Sequence, residues 1–314
     1  MFSGGAMLVE LEIFLILLLS FVVLAFHGWV LWLASRMPSI PGGMQLAPSM
    51  GVRVSAIVPA RNEEEDLGPC LDGLLAQEHE LAEILVVDGN SEDRTRDVAL
   101  ARAPRVRLLE EPPLPEGWVG KNWACHIGAA AASGEYLLFT DSDVRSQSHA
   151  VGTALAWAEA QQADLVTLAP RIETVGFWER VVLPLFTQFV LTYFRVPAVN
   201  RDSSSAAAAL GPFMLFRRSA YARVGGHAAV RGVVLEDVAL ARLLRRAGLR
   251  LRIGWAPELL ATRMYRDRAE MSEGILKNLH GLRFSAWRQV GFLVALVGLF
   301  WLPLLVLPLG LGSG

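Results

Sequence analysis

Two long uncharged runs bracket a patterned middle. Residues 13–33 read IFLILLLSFVVLAFHGWVLWL and residues 290–311 read VGFLVALVGLFWLPLLVLPLGL. At a rise of about 1.5 Å per residue, roughly 20 apolar residues cross a hydrocarbon core about 30 Å thick, so each run predicts a transmembrane helix. A signal peptide is the alternative for the first run, but Glu10 and Glu12 precede it where a signal peptide is basic, and the run exceeds a usual signal core. A buried core helix is the alternative for the second, because Pro303 and Pro308 interrupt it; transmembrane helices tolerate proline better than soluble ones do. Residues 1–36 and 290–314 are expected to anchor the chain, with 269–289 as a juxtamembrane segment.

Between the anchors, residues 37–52 are rich in Pro, Gly and Met and predict a linker. Five short apolar runs then alternate with helical stretches: RVSAIVP (53–59), EILVVD (83–88), the run 105–109, EYLLFT (135–140) and DLVTLA (164–169). Alternating strand and helix predicts an α/β domain over 53–268, a Rossmann-like, mainly parallel sheet flanked by helices on both faces. Within it, residues 177–199 carry an uncharged stretch, 181–194, too short to span and broken by Pro184. A helix lying in the membrane interface is expected there, with a core helix as the alternative.

The polar residues of this pattern fall in one place. RNEEE, DGNSED and DSD each follow the end of an apolar strand, which gathers them at the carboxyl edge of the sheet, where open α/β folds bind ligands. Asp141 and Asp143, one residue apart at a strand end with Ser142 between them, suit a hard divalent cation, Mg²⁺ or Mn²⁺, bridged to substrate phosphates. Asp88 ends the second strand and is suited to accept hydrogen bonds from a nucleobase, with its carboxylate wetted by the loop; Glu63 lies near the same edge. Helix capping is the expected role of Asp66 and Asp93, and solvated loop charge that of Glu64 and Glu65. Gly120-Lys121-Asn122 falls short of a P-loop, because Pro115 stands at the first glycine position and Asn122 at the Ser/Thr position. Lys121 can still reach a diphosphate as a point charge. Glu236-Asp237 opens an amphipathic helix that stops at Gly248. It answers either to helix-dipole stabilisation or to a general base taking a proton from an acceptor hydroxyl. Arg263 and Arg266 can clamp phosphates or meet lipid headgroups.

Composition sharpens this picture. Hydrophobic residues make up 53% of the 314 and the mean hydropathy is +0.38, high for a soluble protein. No Lys or Arg precedes the first run while Arg36, Arg53 and Arg61 follow it; Lys277, Arg283 and Arg288 precede the second and nothing basic follows. The middle is therefore expected on the cytoplasmic side of a multi-pass plasma-membrane protein. A net charge of −2 gives no reason to expect nucleic-acid binding, although Arg242, Arg245, Arg246, Arg250 and Arg252 form a local cluster suited to anionic headgroups. Cys70 and Cys125 form no CxxC pair and are expected to be small buried residues.

Taken in order, VSAIVPARNEEEDL, VVDGNSEDRT, FTDSDV and LED resemble the motifs of family 2 glycosyltransferases of the GT-A fold, over residues 54–266. LPEGWVGKNWAC and VGGHAAVRGVVLEDVALARLL resemble the membrane-bound branch containing carotenoid-acid (diaponeurosporenoate) and hopanoid-associated glycosyltransferases. The resemblance implies that Pro59, Ala60, Arg61, Glu63 and Asp88 surround the nucleobase and ribose, that Lys121 approaches the diphosphate, and that Ser142 also lines the donor site. It further implies that Asp141 contacts ribose or metal, that Asp143 ligates the metal, and that Asp237, poised by Glu236, is the base of an inverting displacement. Gly89 stands where many relatives carry a second Asp, and RMYRD (263–267) lacks the QxxRW motif of processive synthases. The expected activity is transfer of one sugar from a nucleotide sugar, UDP-linked in most relatives, to a lipid acceptor. The alternatives are a processive polysaccharide synthase and a catalytically idle nucleotide-sugar-binding membrane protein.

Overall fold

The structure, a computed structural model, describes residues 3–40 and 51–281; the second expected span lies outside the described residues, as do most of the linker and residues 282–289. The chain divides into two units, Met1–Arg36 with Leu276–Gly314, and Met37–Ile275. In the first, helix α1 (Ser3–Ser35) covers the first apolar run, and Phe14, Leu17, Phe21, Leu24 and Leu31 on it are exposed.

The second unit is built on a seven-stranded sheet in the order β3-β2-β1-β4-β8-β6-β9. The strands are β1 (Val54–Ala60), β2 (Glu83–Asp88), β3 (Val106–Glu110), β4 (Tyr136–Thr140), β6 (Leu165–Ala169), β8 (Phe213–Arg217) and β9 (Leu251–Trp255). Neighbours run parallel except at β8, which lies antiparallel to both β4 and β6. Every residue of β1, β4 and β6 is buried, as expected of strands covered on both faces. Alternate side chains feed two cores. Ala56, Val58 and Leu138 pack under α2 (Leu67–Leu75) and α5 (Ala150–Ala160). Ile57, Leu85 and Phe139 pack under α4 (Gly120–Ala131) and α9 (Glu236–Arg246). The mainly parallel sheet flanked by helices is as expected, and β8 is its one reversed strand.

Three differences from the expected organisation stand out. A second, three-stranded sheet joins β5 (Val144–Ser146), β10 (Leu260–Thr262) and β7 (Arg171–Ile172) in the order β5-β10-β7; strands of two or three residues carry no readable period. The start of the expected linker is part of the fold: Met37 and Ile40 are buried, and the segment bonds β9 through Ile40 N–H to Trp255 O and Trp255 N–H to Pro38 O, each 2.8 Å. The apolar segment 177–199 is two helices, α6 (Phe177–Tyr193, enclosing Pro184) and α7 (Val196–Val199), separated by Arg195 in a left-handed conformation, φ 52°. Among the described residues it is the one stretch with the length and hydropathy of a membrane span, and 33% of it is buried. Glu179, Leu183, Phe189 and Leu191 are buried on α6, and Leu183 packs with Tyr265 and with Met271 of α10 (Arg268–Gly281). Phe177, Trp178, Val181 and Tyr193 are exposed.

Candidate active site

β4 ends at Thr140, so Asp141-Ser142-Asp143 turns out of the sheet at its carboxyl edge before β5 begins. Lys121, in the first turn of α4, reaches this turn: its Nζ lies 2.6 Å from Asp141 Oδ1 and 3.0 Å from Glu236 Oε1 at the start of α9. Burial alone would lower the Lys121 pKa, but Asp141 and Glu236 outweigh it and hold the ammonium well above its ordinary range.

Gly211, just before β8, sits at the meeting point. A methyl group there would lie 3.3 Å from Lys121 Nζ, 3.6 Å from Asp141 Oδ2 and 3.7 Å from Asp237 Oδ2. Its N–H donates to Asp237 Oδ2 at 3.0 Å, while Asp237 Oδ1 accepts from Val238 N–H at 2.7 Å. Asp237 is nevertheless raised to about 7, by burial first and then by the charge of Glu236. Residues far apart in the chain, Lys121, Asp141, Gly211 and Asp237, thus surround one point.

The second carboxylate of the turn is held from below. Thr262 Oγ1 donates to Asp143 Oδ2 at 2.6 Å, because β10 pairs Thr262 with Val144. Burial and the neighbouring Asp141 raise Asp143 to about 6. Glu63 is raised to about 7 by burial and by Asp143, against the lowering effect of its bond to the Ser142 side chain. The edge is therefore crowded with negative charge, and Lys121 is the one cation within bonding distance of the Asp141 and Glu236 carboxylates among the described residues.

At the other end of the edge, Ala60, Asp88 and Glu110 stand side by side across β1, β2 and β3. Asp88 is not wetted as expected: it is 1% exposed, with Oδ1 accepting from Ser91 N–H at 3.3 Å, Arg96 Nη1 3.8 Å from Oδ2, and no hydrogen bond to Oδ2. The loop after β2, which carries Ser91, folds over it. Arg61 is exposed at the edge, whereas Pro59 is buried within β1, in register with Val87.

Several expected roles change. Arg263 and Arg266 are engaged by acidic side chains instead of standing free for phosphate: Arg263 lies 3.5 Å from Glu179, and Arg266 pairs with Glu65 and, at 2.6 Å, with Asp66. Asp66 starts α2 without the capping bond expected of it, while Glu64 is a loop charge at the surface, paired with the exposed Arg94 at 3.4 Å. Asp93 does accept from Thr95 N–H, at 2.9 Å, the first residue of helix α3 (Thr95–Leu100). Of the arginine cluster, Arg252 pairs with Asp202 at 2.7 Å and Arg245 donates to the Val199 and Ala206 carbonyls, which removes both from headgroup binding. Cys70 and Cys125 are buried and unbridged, with burial pushing both thiols up. Thr262 and Gly211 had no sequence signal, since each acts through a partner distant in the chain. The same is true of Asn122, whose buried amide donates to the carbonyls of Val230, Arg231 and Val233 and so ties α4 to the loop before Glu236.

Residues 55–225, more than half of the chain, match Glycosyl transferase family 2. The chain belongs to that family. It is 27% identical over 229 residues to the 4,4'-diaponeurosporenoate glycosyltransferase of Staphylococcus haemolyticus, covering 72% of this chain and 60% of that protein. The Staphylococcus aureus (strain Newman) protein of the same name is 26% identical over 230 residues, with the same coverage. The chain thus spans about 60% of the length of these curated relatives. In fold it is similar to a mannosyltransferase from Pyrobaculum calidifontis in complex with GDP-Man and Mn²⁺ (TM-score 0.59, 18% identity, 95% of this chain and 86% of that one). It is also similar to glucosyl-3-phosphoglycerate synthase from Mycobacterium tuberculosis with Mn²⁺, UDP and product (TM-score 0.51, 21% identity, 76% and 81%). Both have the GT-A fold, which this domain shares.

Among the described residues no group of three or more His, Cys, Asp or Glu is placed to cage a metal ion. The residues still fit a hard divalent cation that takes part of its shell from substrate: the donors are all carboxylate oxygens, and the raised Asp143 and Glu63 show anionic charge lacking a counter-charge.

Proposed function

We propose that the protein transfers a single sugar from a nucleotide-diphosphate sugar, UDP-linked, to a lipid or other hydrophobic acceptor at the cytoplasmic face of the plasma membrane. The observation that carries this reading is the convergence of Lys121, Asp141 and Asp237 on Gly211, which sets a phosphate-seeking cation and a carboxylate of pKa about 7 at one point.

In this reading Ala60, Arg61, Glu63 and Asp88 form the nucleoside end, while Asp141 and Asp143 are the carboxylates that would hold Mg²⁺ or Mn²⁺ with the donor diphosphate. The bound cation supplies neutralisation of the departing diphosphate. Lys121 adds a second positive charge on the same leaving group, and releasing it from Asp141 is part of donor binding. Asp237 accepts the acceptor hydroxyl proton as that oxygen bonds the anomeric carbon and the bond from that carbon to the phosphate oxygen breaks, which inverts the anomeric centre. A carboxylate poised near 7 is well matched to that task. Burial and the charge of Glu236 keep it there. Neither Arg263 nor Arg266 has a role on phosphate in this scheme.

Membrane attachment rests on α1, whose large side chains are exposed, and on α6, which buries one face and exposes Phe177, Trp178 and Val181 beside Arg180. That pattern suits a helix in the interface plane. The 4,4'-diaponeurosporenoate in the relatives' name supports a hydrophobic acceptor. The test is a panel of nucleotide sugars incubated with membrane lipid extract and Mn²⁺, with products read by mass. One hexose-sized increment on a lipid supports the reading; a ladder of increments would show a polymerising synthase, and donor binding without nucleotide release an idle binder.

A further inference from the structure

We propose that Glu111 is the residue that reads the donor's nucleobase, by accepting the ring N–H of a lactam base, uracil or guanine. This rests on the glycosyl-transfer reading above and adds to it a residue outside the site so far described.

Glu111 follows β3 at the carboxyl edge of the sheet, and its N–H donates to Asp88 O at 3.1 Å, which fixes its backbone beside the end of β2. Its side chain turns back over the edge. A methyl group built on Gly89 would lie 2.9 Å from Glu111 Oε2, 3.3 Å from Arg61 Cβ and 3.5 Å from Ala60 O. The space that a side chain at position 89 would take is therefore taken by the Glu111 carboxylate. This carboxylate stands next to Arg61 and Asp88, at the nucleoside end of the site.

Two observations mark it as a group waiting for a donor. No hydrogen bond or ion pair reaches the Glu111 carboxylate among the described residues, although it is half-buried. Asp88 beside it is 1% exposed with Oδ2 also lacking a hydrogen bond. Burial, only partly offset by Arg61, holds the Glu111 carboxyl above its usual range, so an N–H donor would relieve it. Asp88 is enclosed by Ser91 and Arg96, so of the two carboxylates at this end Glu111 is the more open to a base edge. A carboxylate is acceptor-only, so its proper complement is an N–H. Uracil N3 and guanine N1 carry that proton. Cytosine N3 and adenine N1 present a lone pair there, which the carboxylate repels.

The test is calorimetric binding of UDP, GDP, CDP and ADP, each with Mn²⁺, to the full-length protein, to Glu111→Ala and to Gly89→Ala. Gly89 has no left-handed φ, so Ala is tolerated by the backbone and its methyl group meets the movable end of Glu111; this variant displaces the carboxylate without removing it. The wild type is expected to favour UDP or GDP over CDP and ADP. Both variants are expected to weaken the favoured nucleotide roughly ten- to hundredfold while CDP and ADP change little. If both variants keep the wild-type ranking, Glu111 does not read the base and the donor reading survives. A wild type that prefers CDP or ADP overturns the proposal as well, and one that binds none of the four with Mn²⁺ overturns the donor reading with it.

Discussion

The hydroxyl of Thr262 donates to Asp143 at 2.6 Å, linking residues 119 apart in the chain. Thr262 is 1% exposed, and the Asp143 carboxylate it holds lies close enough to Asp141 and Glu63 to feel the charge of both. A buried partner of this kind sets the direction of a ligand carboxylate, and its loss typically weakens metal binding by about 10- to 100-fold. Thr262→Val is expected to weaken Mn²⁺ binding within that range, measured by titration in the presence of UDP, whereas Thr262→Ser keeps most of the affinity. Equal loss in both would point to packing in place of orientation.

Asp237 and Glu236 predict a second outcome, in the pH dependence of turnover. Glu236 raises Asp237, so neutralising it with Glu236→Gln lowers the Asp237 pKa below its value of about 7. As a general base Asp237 works when ionised, so the acidic limb of the kcat/KM profile is expected to move to lower pH. Asp237→Asn is expected to lower kcat by about 100-fold or more with donor binding retained. Full turnover in Asp237→Asn would remove the base assignment.

How much of this was legible in the sequence depends on how far each interaction reaches. β2 spans Glu83–Asp88 as its run of β-branched residues predicts, and β1, β4 and β6 agree to within a residue at each end, because strands buried on both faces are unbroken apolar runs; the edge strand β3 agrees as closely although only Val106 in it is buried. The edge loops were legible for the same reason, since strand ends fix where a parallel sheet presents its ligands. Thr262 was not, because β10 is three residues long and its partner β5 is as short. Nor was Gly211, whose importance lies in three side chains that meet only after folding. The partners of Arg266 were hidden for a related reason: the sequence shows an arginine, and only the fold places Glu65 and Asp66 against it. β8 was passed over although FMLFR is apolar, because a single antiparallel strand leaves no alternation with helices to announce it.

The crowded carboxylates also predict how stability varies with pH. Glu63 (to about 7), Asp143 (to about 6) and Asp237 (to about 7) are all raised on folding and outnumber buried His227, which is lowered to about 3 and opposes them, so the folded protein binds more protons than the unfolded chain from about pH 5 to 7. Its stability therefore falls as pH rises through that window, and levels off above the folded values. In chelator the thermal midpoint is expected to be higher at pH 5 than at pH 8, apart from titrations elsewhere that Glu63→Gln/Asp143→Asn controls for. Mn²⁺ with UDP is expected to raise the midpoint more at pH 8 than at pH 5, because a cation relieves the same repulsion that protons do. A ligand shift larger at pH 5 would show that these carboxylates do not face the bound cation.

Gly211 supplies a test that separates chemistry from folding. Its φ is not left-handed, so alanine is allowed by the backbone, and the added methyl group meets Lys121 Nζ at 3.3 Å before anything else. Lysine is flexible and can yield by a few tenths of an ångström, so the stability cost is expected to be no more than about 1–3 kcal/mol. What yields is the bridge from Lys121 to Asp141 and Glu236, along with the contact that positions Asp237. Displacing reacting groups by a fraction of an ångström to an ångström costs on the order of tenfold to a hundredfold in rate. Gly211→Ala is therefore expected to lose at least tenfold in kcat while its circular dichroism stays that of the wild type and its thermal midpoint falls by no more than about 10 °C. A variant that keeps its turnover would move the reacting centre away from the point where Lys121, Asp141 and Asp237 meet.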